Sequence, residues 1–296
     1  MLEFKAPEIY DMAWVKEAMT ASNEMACEYC FGNLYIWCKV YKNTIANYNG
    51  LFLAKDGIEK ASYIYPCGKG DKKAAVEELI KYSQANGDSP IELYCLTEQS
   101  VDELTKMFPD KFEIVEDRAY FDYIYNSQDL INLAGRKYHS KRNHISYFKN
   151  NYDWKYEKIS RDNLSECYEM NRKWEQLRAN KNGEALEAEL DAIRRGFIKY
   201  EELGFVGGLL RKDGEVIAYT FGEEINSDVF CVHVEKAYPD IRGAYPMINQ
   251  QFCANELSCY RYINREDDVG DEGLRKAKLS YYPEILLKKY KAIYKG

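Results

Sequence analysis

Several features are scarce in this chain of 296 residues, and each scarcity excludes a class of protein. No run of eighteen or more apolar residues occurs, so the sequence predicts no membrane-spanning helix. Residues 1–8 lack the apolar core of a signal peptide, and we therefore expect a soluble, cytoplasmic protein. Basic residues are outnumbered, because 41 Lys and Arg against 48 Asp and Glu give a net charge of −7. That charge repels nucleic acid and anionic membrane unless a local patch reverses its sign.

Histidine is also rare, and the nine cysteines are mostly isolated from one another. Cys27 and Cys30 form the one Cys-x-x-Cys, and no second pair or nearby histidine completes a tetrahedral zinc site. We therefore predict no metal centre and interpret the cysteines as reduced core residues. His233 lies in an apolar strand pattern, which is more typical of a structural histidine than of a catalytic one.

The first half of the chain alternates strand-like and helix-like segments, which is typical of an α/β or α+β layer. Strands are predicted over residues 44–54, 61–65, 91–96 and 112–124. A helix is predicted to begin after Asp71 as N-cap and to end near Gly87.

A similar plan starts again near residue 153. A strand and two helices are followed by an antiparallel meander over residues 205–234, with a hairpin turn at Asp213-Gly214. We predict an N-terminal domain over residues 1–125, a basic linking helix over 126–150, and a C-terminal domain over 151–296 that carries the site.

The linking segment is unusually basic for an acidic protein. Between Gly135 and Ile145 it has four permanent positive charges, two histidines and no acid. A solvated helix face would also explain this pattern, but such faces usually intersperse glutamate. We predict that the segment binds an anionic group of the substrate through Arg136, Lys137, His139, Lys141, Arg142 and His144.

A charged loop near the C-terminus is the strongest local signal. Five acids lie between Glu266 and Glu272, four bases flank them, and Gly270 and Gly273 allow the chain to turn. A strand over residues 260–263 should enter the loop, and residues 278–283 should leave it as an extended segment that places Leu279 in the core. Opposed charges at a strand end favour a polar ligand site, whereas the alternative is a solvated loop with local ion pairs.

The order of elements resembles the acyltransferase fold of the GCN5-related N-acetyltransferases. In that fold the turn before the helix that follows a central strand cradles a pyrophosphate with its backbone amides. The matching turn here contains Arg242, Gly243 and Ala244, and the resemblance implies that these residues contact coenzyme A. The turn is less rich in glycine than is usual for that family.

A closer resemblance rests on residues 135–144, 264–268 and 273–283. These motifs resemble a bacterial family of unassigned function that is related to the C-terminal catalytic domain of phosphatidylglycerol lysyltransferases, and the resemblance covers essentially the whole chain. It implies an α+β protein with two tandem acetyltransferase-like domains, each a mixed, mostly antiparallel sheet flanked by helices.

The same resemblance implies transfer of an acyl or aminoacyl group to an amine or hydroxyl of a small or cell-envelope acceptor. The donor would be an aminoacyl-tRNA or an acyl-CoA, and no other cofactor is expected. Lys278 matches a lysine that recurs near the end of such enzymes, and we expect it to act in catalysis with Glu266 and Asp267. Substrate contacts are expected from Arg265, Asp268, Arg275 and Tyr281.

Two other functions stay open from the sequence. One is an N-acetyltransferase that uses acetyl-CoA, and the other is a non-catalytic protein that keeps the fold and binds a small ligand.

Overall fold

The structure, a computed structural model, describes residues 2–57, 60–178 and 184–296. The chain forms two compact units that are discontinuous in sequence. Unit 1 comprises Met1–Tyr123, Glu266–Lys276 and Leu286–Gly296, and unit 2 comprises Ile124–Arg265 and Ala277–Ile285. This division differs from the contiguous one expected from the sequence, because the charged loop and the C-terminal strand both belong to unit 1.

The first part of the chain forms α1 (Met12–Ser22), α2 (Phe31–Tyr41), β1 (Thr44–Tyr48), β2 (Leu51–Asp56), β3 (Ser62–Ile64), β4 (Cys67–Gly68), α3 (Lys72–Asn86), β5 (Glu92–Leu96), α4 (Glu98–Met107), β6 (Phe112–Glu116) and β7 (Asp122–Asn126). The rest forms α5 (Ser127–Asn132), α6 (His139–Asn151), β8 (Trp154–Lys158), α7 (Leu164–Arg178), α8 (Glu184–Ile198), β9 (Val206–Lys212), β10 (Glu215–Asn226), β11 (Val229–Ala237), α9 (Ala244–Glu256), β12 (Tyr262–Asn264), α10 (Glu272–Leu279), β13 (Ile285–Leu287) and β14 (Tyr290–Tyr294). Within the described ranges, no helix combines the length and the hydrophobicity needed to cross a bilayer.

Unit 1 is organised around a mixed sheet in the order β1-β2-β3-β5-β14-β6, with β4 paired to β2. Strands β3 and β5 are parallel, and β14 lies antiparallel between β5 and β6. Val76 and Leu79 of α3 and Leu104 of α4 are fully buried in the same cluster as Leu53 and Leu93 of the sheet. The apolar stripe of each helix therefore covers the sheet, as amphipathic helices do in α+β proteins.

Unit 2 contains a second mixed sheet, with the order β13-β7-β12-β11-β10-β9-β8. The pairs β8·β9, β9·β10, β10·β11 and β12·β7 are antiparallel, and β11·β12 is parallel. Phe252 of α9 packs against Phe230 of β11, and Tyr219 and Phe221 of β10 pack against Phe197 of α8. The predicted α+β class with mixed, mostly antiparallel sheets is therefore confirmed.

Several local predictions are also confirmed by backbone and capping geometry. Asp71 caps α3 by accepting a hydrogen bond from the backbone N–H of Ala74, and Gly87 ends that helix in the left-handed conformation. The turn between β9 and β10 has positive φ at both Asp213 and Gly214, as a two-residue hairpin turn of type I′ requires.

Three predicted segments are wrong in detail. The strand expected over residues 44–54 is a hairpin, because Asn49 and Gly50 both adopt positive φ and reverse the chain. The strand expected over 112–124 is interrupted by a short 3₁₀ turn that Asp117 caps. The linking helix expected over 126–150 is two helices, α5 and α6, because Leu133 and Gly135 leave helical geometry between them.

The segment around Lys278 also differs from its prediction. Lys278 and Leu279 lie in the last turn of α10 instead of an extended segment, and Leu279 is 44% exposed instead of buried. Helical geometry removes the alternation on which the expected burial of Leu279 depended.

A close approach of two strands makes Gly222 a sensitive position. A Cβ added there would lie 1.8 Å from the carbonyl oxygen of Cys231 on the paired strand β11. We expect Gly222→Ala to lower the free energy of unfolding by about 2 kcal/mol or more, measured by chemical denaturation. Gly273→Ala on the exposed helix α10 is the control and should change stability by less than about 1 kcal/mol. Equal stability of the two variants would contradict this account of the β10–β11 contact.

Candidate functional site

An acidic cavity lies within unit 1, and we call it the acid pocket. Its volume is about 340 Å³. Five carboxylates line it against two lysines, namely Glu28, Asp56, Asp117, Glu266, Asp267, Lys289 and Lys291. Aromatic rings form much of the remaining wall, including Trp37, Tyr41, Phe52, Tyr94, Tyr120 and Tyr290. Carboxylates combined with aromatic faces favour a cationic ligand, since both attract positive charge.

The charged loop enters the pocket at Glu266, whose backbone conformation is uncommon for a residue other than glycine. Glu266 has a φ of 58°, in the left-handed region, and its carbonyl accepts a hydrogen bond from the N–H of Tyr123. Its side chain accepts a hydrogen bond from Asn33 of α2, at 3.1 Å. A non-glycine residue held at positive φ is uncommon and is often found at functional sites. The surrounding contacts therefore fix where Glu266 and the next residue, Asp267, present their carboxylates.

Asp267 is the pocket carboxylate whose pKa is raised. Burial raises the pKa of Asp267 to about 7, with Asp122, Glu28 and Glu266 adding to the rise and Lys289 opposing it. One of its oxygens accepts a hydrogen bond from the N–H of Val269. A carboxylate that titrates near neutral pH can both accept and return a proton under physiological conditions.

A buried ion pair forms the inner wall of the pocket. The Lys289 ammonium lies 2.8 Å from Oδ1 of Asp122 and 2.8 Å from each carboxylate oxygen of Glu28. Burial alone would lower the pKa of Lys289, but Asp122, Cys27 and Glu28 raise it well above its ordinary value. Lys289 therefore remains charged.

Asp268 has a different environment from its neighbour Asp267. Its carboxylate is fully buried and accepts two hydrogen bonds from Arg275, each 2.9 Å long, and further ones from Arg118 and Tyr123. Burial alone would raise the pKa of Asp268, yet the hydrogen bonds from Arg275 and Tyr123 hold it well below its usual range. Asp268 and Arg275 bind each other and brace the loop, and their contact with substrate stays a prediction.

The hydrogen bonds to the Asp268 carboxylate predict that the free energy of unfolding of the protein depends on pH. Because the folded-state pKa of Asp268 is lowered, its stabilisation is present above the unfolded value near 4 and is lost as pH falls through the folded value. We expect Asp268→Asn to lower the free energy of unfolding by about 3 kcal/mol at pH 7, with the difference shrinking towards pH 2. Denaturant titrations from pH 2 to 8 measure this, and a pH-independent difference would contradict the ion pair as its cause.

Unit 2 holds a second cluster of predicted site residues, around Arg265. The Arg265 guanidinium donates to Glu235 at 2.9 Å, and its carbon lies 5.0 Å from the ring centre of Tyr281. Lys141 places its ammonium 3.9 Å from the same ring and donates to Ser280 at 2.7 Å. Burial lowers the pKa of Lys141 to about 8, and Arg265 adds to this effect. The structure thus brings Lys141, Arg265 and Tyr281 together in one positively charged cluster.

Lys278 is tied to the backbone of the same unit. Its ammonium donates to the carbonyl oxygen of Arg265 at 2.6 Å, and its own carbonyl accepts a hydrogen bond from Tyr125. Lys278 therefore fixes the residue that directly precedes Glu266 in the sequence.

The residues of the predicted anion-binding segment differ in their contacts, and anion binding by them stays a prediction. Arg142 donates to the carbonyls of Leu133 and Gly135, so it caps the end of α5. Lys137 pairs with Asp129 at 3.1 Å, and His139 hydrogen-bonds Asn143. Arg136 is exposed on the 3₁₀ turn before α6.

Arg136 and Arg142 have the same charge and lie in the same predicted segment, but only Arg142 binds backbone carbonyls at the α5–α6 junction. Arg142→Ala should lower the free energy of unfolding by about 1 kcal/mol, because two carbonyl contacts are lost, whereas Arg136→Ala should change it by less than about 0.5 kcal/mol. Urea denaturation of both variants is the measurement. Equal losses would show that the contacts of Arg142 do not stabilise the α5–α6 junction.

The turn predicted to contact coenzyme A is packed against α6. A Cβ on Gly243 would lie 2.4 Å from the carbonyl oxygen of His144, and the Arg242 guanidinium stacks 4.2 Å above the Tyr147 ring. The N–H of Ala244 already donates to the carbonyl of Ile241. Contact of this turn with coenzyme A stays a prediction.

No sequence motif marks the residues of the inner wall. Glu28 lies inside the Cys27-x-x-Cys30 motif, which was interpreted only as packing, and both cysteines are indeed buried. Lys289 follows Lys288, and two adjacent lysines are typical of a solvent-exposed segment. Only the fold brings Lys289, Glu28 and Asp122 together, and no local pattern marks them.

Comparison with solved structures defines the class of fold. A tandem GNAT protein from the clavulanic acid biosynthesis pathway matches with a TM-score of 0.51 at 9% identity, over 99% of this chain and 98% of that one. The L-PGS of Bacillus licheniformis matches with a TM-score of 0.68 at 14% identity, over 99% and 93% of the two chains. The protein thus has the tandem GNAT-like fold.

The family follows from sequence. Residues 20–293 match the family described as phosphatidylglycerol lysyltransferase, C-terminal, and the chain belongs to it. A conserved protein of unknown function from Bacteroides thetaiotaomicron is 37% identical, with a TM-score of 0.95 over the whole of both chains. An uncharacterised protein of Mycoplasmoides gallisepticum is 24% identical over 182 residues, 57% of this chain. The chain spans about half the length of that curated relative, 54%.

Proposed function

We propose that this protein transfers an aminoacyl group from an activated donor to an amine or hydroxyl acceptor. The family is named for lysyltransferases, which move an aminoacyl group. The observation that carries the proposal is Asp267, a carboxylate whose pKa of about 7 is set by burial in a pocket of acids and aromatic rings. Such a pocket suits a reactant that carries an ammonium group, and such a carboxylate suits the proton transfer that aminoacylation needs.

The proposed chemistry needs no covalent enzyme intermediate. An aminoacyl ester is already activated, so the protein has mainly to hold it against the nucleophile. The acceptor amine binds as its ammonium beside Glu266 and gives one proton to Asp267. Its nitrogen then attacks the ester carbonyl, a carbon–nitrogen bond forms, and the carbon–oxygen bond to the donor breaks. The departing alkoxide takes up the second proton, which the attacking nitrogen loses as the amide forms.

Unit 2, taken by itself, is proposed to bind an anionic group through its basic side chains. Lys141 donates to the hydroxyl of Ser280, and Arg265 is paired with Glu235. Together with the exposed Arg136, they suit the phosphates of a tRNA acceptor end.

The first test is the reaction itself. Purified protein is incubated with labelled aminoacyl-tRNA and a set of amine acceptors, in parallel with labelled acetyl-CoA, and the products are separated by mass. We expect an aminoacylated acceptor and no acetylated one. Transfer from acetyl-CoA alone would replace this proposal, and tight amine binding without any transfer would identify a non-catalytic binding protein.

Asp267→Asn should remove the proton acceptor while keeping its shape. We expect turnover at pH 7.5 to fall about 10²-fold or more, because general-base catalysis typically contributes on that scale. In the wild-type protein, the rate should rise with pH through about 7, and this limb should vanish in the variant. Asp271→Asn, at the N-cap of the neighbouring helix α10, is the control with the same chemical change, since Asn caps nearly as well as Asp.

The same variant has a stability readout that does not require a substrate. Since the folded-state pKa of Asp267 is raised from its ordinary value of 3.8, the folded state loses stability as pH rises from about 4 to about 7. We therefore expect Asp267→Asn to have a higher Tm than wild type at pH 8 and an equal Tm near pH 4. An unchanged Tm at pH 8 would show that Asp267 ionises normally.

Lys278 is proposed to steady the developing oxyanion and to hold the Arg265 carbonyl. We expect Lys278→Met to reduce turnover on the order of 10²-fold, the scale of a lost oxyanion donor, with the fold retained. Lys276→Met, on the exposed face of the same helix, should keep wild-type turnover. Steady-state rates of the two variants decide this, and equal rates would remove Lys278 from the reaction.

A further inference from the structure

Helix α2 and one face of the sheet line the acid pocket of unit 1, a cavity of about 340 Å³. The residues that α2 contributes follow helical spacing and are Asn33, Leu34, Trp37 and Tyr41. The residues that β2 contributes alternate along the strand and are Phe52, Ala54 and Asp56. Both elements line the cavity over most of their length, so it suits an extended ligand.

Carboxylates lie at both ends of this lining. In the first turn of α2, the Asn33 side chain donates to Glu266 at 3.1 Å. At the last residue of α2, the Tyr41 carbonyl accepts a hydrogen bond from the N–H of Gly57, which follows Asp56. Tyr41 lies eight positions after Asn33, which corresponds to a rise of about 12 Å in an α-helix. Glu266 and Asp56 are therefore positioned at opposite ends of the same helix.

The lining between these two ends is mostly apolar. Leu34 and Trp37 lie between them on α2, and Ala54 precedes Asp56 on the same face of β2. Ile64 of β3 adds another buried apolar side chain. An alkyl chain placed along these residues would be removed from water, which favours its binding.

The charges around the cavity are unequal, because five carboxylates line it and only two lysines do. Lys289 lies 2.8 Å from Glu28 and 2.8 Å from Asp122. Lys291 pairs with Glu92 at 3.4 Å. A ligand with a single ammonium group leaves the acids in excess, so a second ammonium group adds a further favourable interaction.

We propose that the acceptor is a linear diamine, which binds with one ammonium group at Glu266, the other at Asp56, and its alkyl chain between them. This inference rests on the proposed function and names the class of acceptor. The ammonium group at Glu266 gives one proton to Asp267, and its nitrogen bonds to the aminoacyl carbon as the carbon–oxygen bond to the donor breaks. Its second proton goes to the departing alkoxide. The ammonium group at Asp56 stays charged, and the product is a diamine that carries one aminoacyl group.

Isothermal titration calorimetry of the full-length protein tests this binding mode without any reaction. Octamethylenediamine is compared with octylamine, which lacks the second ammonium group. We expect the diamine to bind about 10-fold more tightly or better, the scale of a hydrogen bond to a charged group. The ratio should be smaller for trimethylenediamine against propylamine, because the short chain cannot reach both carboxylates.

Substitutions at the two ends should act differently. Asp56→Asn should bring the affinity for octamethylenediamine down to about that for octylamine, whereas Glu266→Gln should weaken the binding of both amines. Asp102→Asn is the matched control, since Asp102 is exposed on α4, which packs on the other face of the sheet. That variant should keep the wild-type ratio. If Asp56→Asn does not fold, the dependence on chain length in the wild-type protein decides the question.

L-Lysine distinguishes a diamine from an amino acid, because it is cadaverine with one added carboxylate. That carboxylate would face the acids of the pocket, so cadaverine should bind more tightly. Tighter binding of L-lysine, equal affinities for octamethylenediamine and octylamine in the wild-type protein, or an unchanged ratio in Asp56→Asn would overturn the inference.

Binding and transfer are measured separately, so the two proposals fail in different ways. Selective diamine binding without transfer from aminoacyl-tRNA would refute the proposed function and keep the assignment of the ligand. Transfer to octylamine and octamethylenediamine with equal kcat/KM, together with equal affinities, would refute the diamine and keep the proposed function.

Discussion

The charged loop keeps its shape because one buried carboxylate is fully satisfied. Asp268 is inaccessible to solvent, and Arg275, Arg118 and Tyr123 all donate hydrogen bonds to it. A buried carboxylate without such partners would be too costly to retain, so the loop must close around it in one way. That closure places Glu266 at positive φ and turns Asp267 towards the acid pocket. The position of the proposed base is thus a consequence of how its neighbour is bound.

Residues of the same type in and around the pocket have different pKa values because their surroundings differ. Asp267 and Asp268 are adjacent and chemically identical, yet burial among other acids raises the pKa of one, and hydrogen bonds from cations lower the pKa of the other. The same contrast applies to lysines, since Lys289 keeps its charge between two carboxylates while burial beside Arg265 lowers the pKa of Lys141. Pairs whose proton affinities are driven apart in this way are typical of sites that move protons.

Membership of the phosphatidylglycerol lysyltransferase C-terminal family narrows the reaction class, but the fold alone does not define a substrate. The tandem GNAT-like fold is shared with structures that differ in most of their sequence. Unit 1 presents acids and aromatic rings around the acid pocket, and unit 2 presents Lys141 and Arg265 in a basic cluster.

Much of the fold could be predicted from the sequence because it depends on near neighbours. The cap at Asp71, the end of α3 at Gly87 and the hairpin at Asp213-Gly214 follow from backbone chemistry within a few residues. The incorrect predictions also concern local sequence patterns. Asn49-Gly50 forms a turn inside a long run of β-branched and aromatic residues that is typical of a single strand. Lys278 lies in the last turn of a helix, whereas its sequence pattern predicts an extended segment.

The sequence by itself determined the α+β class, most element positions and the presence of a charged loop, since periodicity and turn chemistry are local properties. Only the tertiary structure decided which charges in that loop are structural. Asp268 meets Arg118 from about 150 residues away in the chain, and Lys289 meets Glu28 across more than 250. Proton affinity depends on burial and on charges a few ångströms away, and neither is encoded in the residues next to an aspartate in sequence.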